Sequence, residues 1–267
     1  MRKLFTSLLL LFAAVITSSA ASVAVEHVKT DLVPDGDDVY VITPDNPLGK
    51  KFPVVYLLNG YGGSRDSYLH LRPDLPALAD RYGIIFVLPS GKDSWYWDSP
   101  VHPEMKMESF ITTELVSWVD TNYPTIADAK HRAITGLSMG GHGALFLAMR
   151  HPDIFGSAGS MSGGVDIRQF PKNWKIAKWL GTYDENPENW EQHATIVQAE
   201  KLQPGQLNII FDCGNDDFFA EVNRNLHRLL LDKKIPHDYT ERPGNHTQAY
   251  WANSLLYHIT FFDQAFK

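Results

Sequence analysis

One serine in this chain stands where a hydroxyl can be turned into a nucleophile. Residues 136–140 read Gly-Leu-Ser-Met-Gly, a G-x-S-x-G pattern centred on Ser138. A short strand-like run at 132–135 enters the pattern and a helix-like run at 139–150 leaves it, the context that gives the pattern meaning. In such a turn the flanking glycines let the chain bend tightly and Ser138 projects above a sheet. The new helix points its free N–H groups toward developing negative charge.

A serine hydroxyl attacks only when a base takes its proton, and this context predicts the chain order serine, acid, histidine. Downstream, Cys213-Gly214-Asn215-Asp216-Asp217 ends an apolar run and offers the acid, and Pro243-Gly244-Asn245-His246 ends the last strand-like run and offers the base. The pattern leaves Asp216 and Asp217 open: one would orient His246, the other would cap the following helix. There are 11 histidines, so His246 is singled out by its glycine-containing loop and its place in the order. His142, on the helix after the turn, reads as structural. An oxyanion needs two backbone N–H donors. Met139, just after the nucleophile, supplies one, and the glycine-rich loop at 59–63 supplies the other. Tyr61 is the choice in that loop, and its ring is placed to line an acyl pocket.

These residues need a scaffold that brings strand ends together. Strand-like runs fall at 52–58, 84–88, 132–135, 156–161, 207–211 and 237–241, separated by helix-like runs at 108–122, 139–150, 218–232 and 247–262. That alternation predicts a mostly parallel central sheet covered by helices on both faces, and with the G-x-S-x-G turn at a strand-to-helix junction it predicts an α/β-hydrolase fold. Residues 165–206 break the rhythm, with Trp174, Trp179 and Trp190 and no convincing strand. They read either as a helical cap insertion beside the site or as ordinary aromatic core.

The chain has 267 residues, and its 44% hydrophobic and 21% charged content is that of a globular domain. A net charge of −7 gives no basic footprint for nucleic acid. The basic start at 1–3, the apolar run at 4–16 and the small residues at 17–22 predict a secretory leader over 1–21, and so a periplasmic or extracellular protein with one catalytic domain over 22–267. The run is short for a membrane span, so no stable membrane anchor is expected. Cys213 is the only cysteine, which excludes an intrachain disulfide, and it reads as a buried thiol. No zinc-ligand spacing occurs, and neither a metal nor an organic cofactor is implied. The oligomeric state, monomer or dimer, is left open.

Five segments in order, LLNGYGG (57–63), SWYWDSP (94–100), ITGLSMGGHGAL (134–145), FDCGNDDFF (211–219) and PGNHTQAYW (243–251), resemble the esterase D family of α/β-hydrolases. That family includes S-formylglutathione hydrolases, small-acyl and feruloyl esterases and mycolyltransferases. The resemblance implies Asp217 as the acid, His246 as the base, and Met139 and Tyr61 as oxyanion donors. It marks SWYWDSP and Glu108 as a region bordering the site, with Trp95 as a pocket residue and Trp97 as a departure from a smaller residue. Together with the leader, it predicts a secreted serine esterase acting on feruloyl, acetyl or other short acyl esters, small or linked to plant polysaccharides. An acyltransferase of the same fold, or a non-catalytic carbohydrate-binding protein, is the alternative.

Overall fold

The computed structural model describes residues 20–46 and 48–267. The expected leader lies outside the described residues apart from Ala20 and Ala21. Strands β3 (Val54–Leu58), β4 (Ile85–Leu88), β5 (Arg132–Gly136) and β6 (Ser157–Met161) are buried at every position. Strands covered on both faces favour apolar residues, and β3 and β4 are unbroken apolar runs, whereas β5 and β6 mix apolar with small and polar residues such as Thr135, Ser157 and Ser160. Along β3 the side chains still alternate. Val54, Tyr56 and Leu58 join one core, and Val55 and Leu57 join another on the opposite face.

With β1 (Ser22–Val28), β2 (Asp37–Thr43), β7 (Asn208–Gly214) and β8 (Asp238–Arg242), the strands form one sheet in the order β1-β2-β4-β3-β5-β6-β7-β8. Pairing is parallel from β4 to β8, while β1 and β2 are antiparallel additions. The sequence reading did not place β1 and β2. On β1, Val23 and Val25 point to solvent at 43% and 58% exposure, so no buried apolar run marks it.

Helices α1 (Ser67–Leu71), α2 (Leu75–Tyr82), α3 (Met107–Ser109), α4 (Val116–Asn122) and α5 (Met139–Arg150) fill the first half of the wrapping. A π-helical stretch, Phe110–Leu115, joins α3 to α4. There Thr112 and Thr113 turn their hydroxyls back onto the carbonyls of Glu108 and Ser109, a bond that competes with the regular helical ladder. The second half holds α6 (Ile176–Leu180), α7 (Pro187–His193), α8 (Thr195–Ala199), α9 (Ala220–Asp232) and α10 (Gln248–Ala265).

Residues 165–206 contain short helices and no strand, and both readings of their tryptophans apply in part. Trp179 and Trp190 are buried in the main core, whereas Trp174 packs at its edge. Ser138, Asp217 and His246 follow the C-terminal ends of β5, β7 and β8, where open α/β sheets gather their sites.

Candidate active site

Ser138 sits on the strained turn that its sequence predicts. Its backbone has φ 57° and ψ −117°, a region that costs a non-glycine residue free energy. The turn closes because Gly136 and Gly140 press together. A Cβ on Gly136 would lie 2.3 Å from the Gly140 carbonyl, and one on Gly140 would lie 2.1 Å from the Leu58 carbonyl oxygen. Any side chain at either position would therefore force the strand and helix apart. Met139 opens α5, so its N–H has no acceptor one turn earlier in the helix.

His246 joins the other two residues. Its Nε2 lies 2.9 Å from Ser138 Oγ and its Nδ1 lies 2.8 Å from Asp217 Oδ2. The Asp217 side chain has no solvent exposure, and that of His246 is 17% exposed. Asp217 Oδ1 accepts the Phe219 N–H at 2.9 Å, so the carboxylate is fixed at both oxygens. Asp216, its neighbour, is exposed and uses its backbone N–H to bond Gly244. Neither aspartate is the N-cap of α9, a position that Phe219 holds.

Ser138 and His246 open onto a cavity of about 430 Å³ that also presents Gly60, Tyr61, Trp174, Phe218 and Trp251. One wall is aromatic. Phe218 and Trp251 flank the imidazole at 4.3 and 4.8 Å between ring centres, and Trp174 stacks on Phe218 at 5.6 Å. The other wall is more polar, with Ser67, His70 and Gln248. Apart from Tyr61, and from Trp174 within 165–206, these side chains were not singled out from sequence. Phe218 follows Asp217 directly, and Gln248 and Trp251 lie two and five residues after His246, so proximity in sequence to Asp217 and His246 was the available signal. Nothing comparable marks His70.

Trp95 is a correction. It is 1% exposed, does not line the cavity and stacks on Trp97 at 5.6 Å inside the core. Next to it, Tyr96 packs against α5 where that helix carries Gly143. Trp97 is fully buried and donates its indole N–H to His142 Nε2 at 2.9 Å. His142 Nδ1 faces the Gly164 carbonyl and the Thr195 hydroxyl, so this ring ties the turn helix to both 94–100 and α8. Burial pushes the His142 pKa down to about 3, which keeps it neutral. Glu108 likewise faces away from the site, paired with Arg150 and His151 at 2.7 Å each. The Cys213 thiol is buried, and desolvation raises its pKa, the opposite of what a reactive thiol needs.

Fold and site together define a protein of the serine-hydrolase class on an α/β-hydrolase scaffold. The model of the Putative esterase family matches residues 30–262, and the chain belongs to that family. The acetyl esterase of Caldicellulosiruptor saccharolyticus is 28% identical over 80% of this chain and 87% of its own length. Esterase Rv1288 of Mycobacterium tuberculosis is 35% identical over 78% of this chain, a match that spans 52% of that protein. A solved ferulic acid esterase superposes with a TM-score of 0.79 at 25% identity, covering 93% of this chain and 99% of its own. The activity class that these relatives support is carboxylic ester hydrolysis.

Proposed function

We propose that this protein is an exported serine carboxylester hydrolase in which Ser138 is the nucleophile, His246 the general base and acid, and Asp217 the residue that orients the imidazole. The observation that carries this reading is the bridge His246 makes, 2.9 Å to Ser138 and 2.8 Å to Asp217, at the wall of an open cavity. Ser138 Oγ attacks the ester carbonyl carbon as its proton passes to His246 Nε2. The Asp217 carboxylate offsets the imidazolium charge. The N–H groups of Met139 and Tyr61 receive the negative oxygen. Collapse breaks the ester C–O bond, and His246 returns the proton to the departing alcohol. Water then repeats the sequence on the acyl-serine, releasing the carboxylic acid and restoring Ser138.

The proposed substrates are feruloyl, acetyl or other short acyl esters of plant polysaccharides. The acetyl esterase and ferulic acid esterase likenesses support this, as does the aromatic wall of Trp174, Phe218 and Trp251. Export rests on the leader-type run at 1–21. The test is kcat/KM of the mature protein on methyl ferulate and on an aryl acetate, with Ser138→Ala as the blank. Turnover of either that vanishes in the blank is expected, and the preferred ester identifies the acyl group. Turnover that survives in Ser138→Ala, or none at all from folded wild type with water or an added alcohol as acceptor, overturns the reading.

A further inference from the structure

Beneath the site lies a second polar cluster that the proposed reaction does not use. Asp212, on β7, is 2% exposed. Its Oδ1 accepts from Ser254 Oγ at 2.7 Å and from Arg242 Nη2 at 3.1 Å, and its Oδ2 lies 2.9 Å from His258 Nε2. On the other side of that ring, His258 Nδ1 lies 2.8 Å from Thr135 Oγ1. Arg242 also donates to Ser254 Oγ, and its guanidinium rests over Tyr250 and Tyr257 at 5.0 and 4.8 Å from the ring centres. Thr135, Ser254 and His258 are fully buried. Between β5 and α10 the sheet makes room for this bond at Gly159, where a Cβ would stand 2.5 Å from His258 Nδ1 and 2.8 Å from Thr135 Oγ1.

The members of the cluster are distributed in a telling way. Thr135 precedes Ser138 by three residues on β5, and Asp212 precedes Asp217 by five on β7. Arg242 closes β8, four residues before His246. Ser254 and His258 lie on α10, the helix that begins just after the His246 loop. Each chain segment that carries one of the three site residues is thus anchored in one hydrogen-bonded set. Burying charged groups costs desolvation that apolar packing would avoid, so simple adhesion of helix to sheet does not account for it.

We propose that Asp212 and His258 are positioning residues: they fix β5, β7, β8 and α10 relative to one another so that His246 reaches Ser138 and Asp217 at once. The proposal rests on the Ser138–His246–Asp217 reading above. Its test measures two quantities in Asp212→Asn, His258→Phe and His258→Gln. These are the rate at which a fluorophosphonate probe labels Ser138, and kcat and KM on an aryl acetate. Small misplacements of reacting groups cost large factors in rate. Labelling and kcat should therefore fall by at least about tenfold in Asp212→Asn and His258→Phe, with KM within about twofold and a cooperative melt retained. His258→Gln keeps an N–H donor toward Asp212 and should recover part of the loss. Where Asp212→Asn does not fold, Thr135→Val, which only removes a hydroxyl, carries the test with an expected fall of about threefold. Folded variants that label and turn over at the wild-type rate, with only the melting temperature lowered, overturn the positioning role and leave the Ser138 reading intact. A folded wild type that takes no label overturns both.

Discussion

Two Asp–His–hydroxyl clusters occupy this molecule, and their contrast explains where the chemistry goes. Asp217, His246 and Ser138 are spaced at 2.8 and 2.9 Å. Asp212, His258 and Ser254 are spaced just as closely, at 2.9 and 2.7 Å. The residue types and distances match, but access does not. In the first cluster the histidine lies between acid and hydroxyl, so a proton can leave the serine for the ring. In the second His258 likewise lies between Asp212 and a hydroxyl, that of Thr135 at 2.8 Å, but ring and hydroxyl are fully buried, and Ser254 gives its hydrogen to Asp212. Ser138 faces a cavity from a strained turn at a helix start, whereas Ser254 is buried within α10. Reactivity follows from exposure and backbone setting, not from composition.

Removing each hydroxyl separates the two clusters most sharply. Ser138→Ala should lower kcat by about ten-thousandfold or more, while Ser254→Ala, which leaves Asp212 bonded to Arg242 and His258, should stay within about tenfold. Steady-state assays on one ester check both, and equal losses would erase the distinction. The next effect concerns the acid. Asp217→Asn should cost about a thousandfold to ten-thousandfold in kcat, and exposed Asp216→Asn should change it by less than about twofold. A large effect at Asp216 would reassign the acid.

The tryptophans divide in the same way between chemistry and core. Trp95→Ala opens a cavity in the core and should cost about 3–5 kcal/mol of stability by denaturant titration. Trp174→Ala, at the cavity wall, should instead raise KM by about three- to tenfold and move stability less. The smallest effect is in pH. His142 is neutral in the fold with a pKa near 3, against 6.5 when free. Between these values the unfolded chain takes up a proton that the folded chain refuses, so stability falls as pH drops from about 6.5 toward 3. A folded His142→Phe variant should show a flatter decline over that window in urea melts, and an unchanged slope would mean that His142 does not contribute it.

The parallel centre of the sheet was legible because β3 and β4 are buried apolar runs and β5 to β7 alternate with helix-like segments in a strand–helix rhythm. The antiparallel pair β1 and β2 was not: on β1, Val23 and Val25 face solvent and no buried run arises, and the short run Val39-Tyr40-Val41-Ile42 of β2 stands outside the strand–helix alternation. The glycine-flanked Ser138 and the strand-end loops announced the site, because tight backbone approach leaves only glycine as a choice. Asp216 and Asp217 are adjacent and chemically identical, so the pattern left both open; the resemblance pointed to Asp217, which is the one buried and bonded to His246. Trp95 was misplaced for a related reason: a core wall and a pocket wall use the same aromatic residues, and spacing along the chain does not say which side faces the cavity. His258 and Asp212 left no motif because the fold brings them together across 46 residues.

The central claim is that an acyl group passes through Ser138, and acid quenching during turnover of an aryl ester tests it directly. Intact-mass and peptide analysis of the quenched protein should find one acyl adduct on the peptide that contains Ser138, and none in Ser138→Ala. An adduct mapped to another residue, or steady turnover unchanged in Ser138→Ala, would contradict the account.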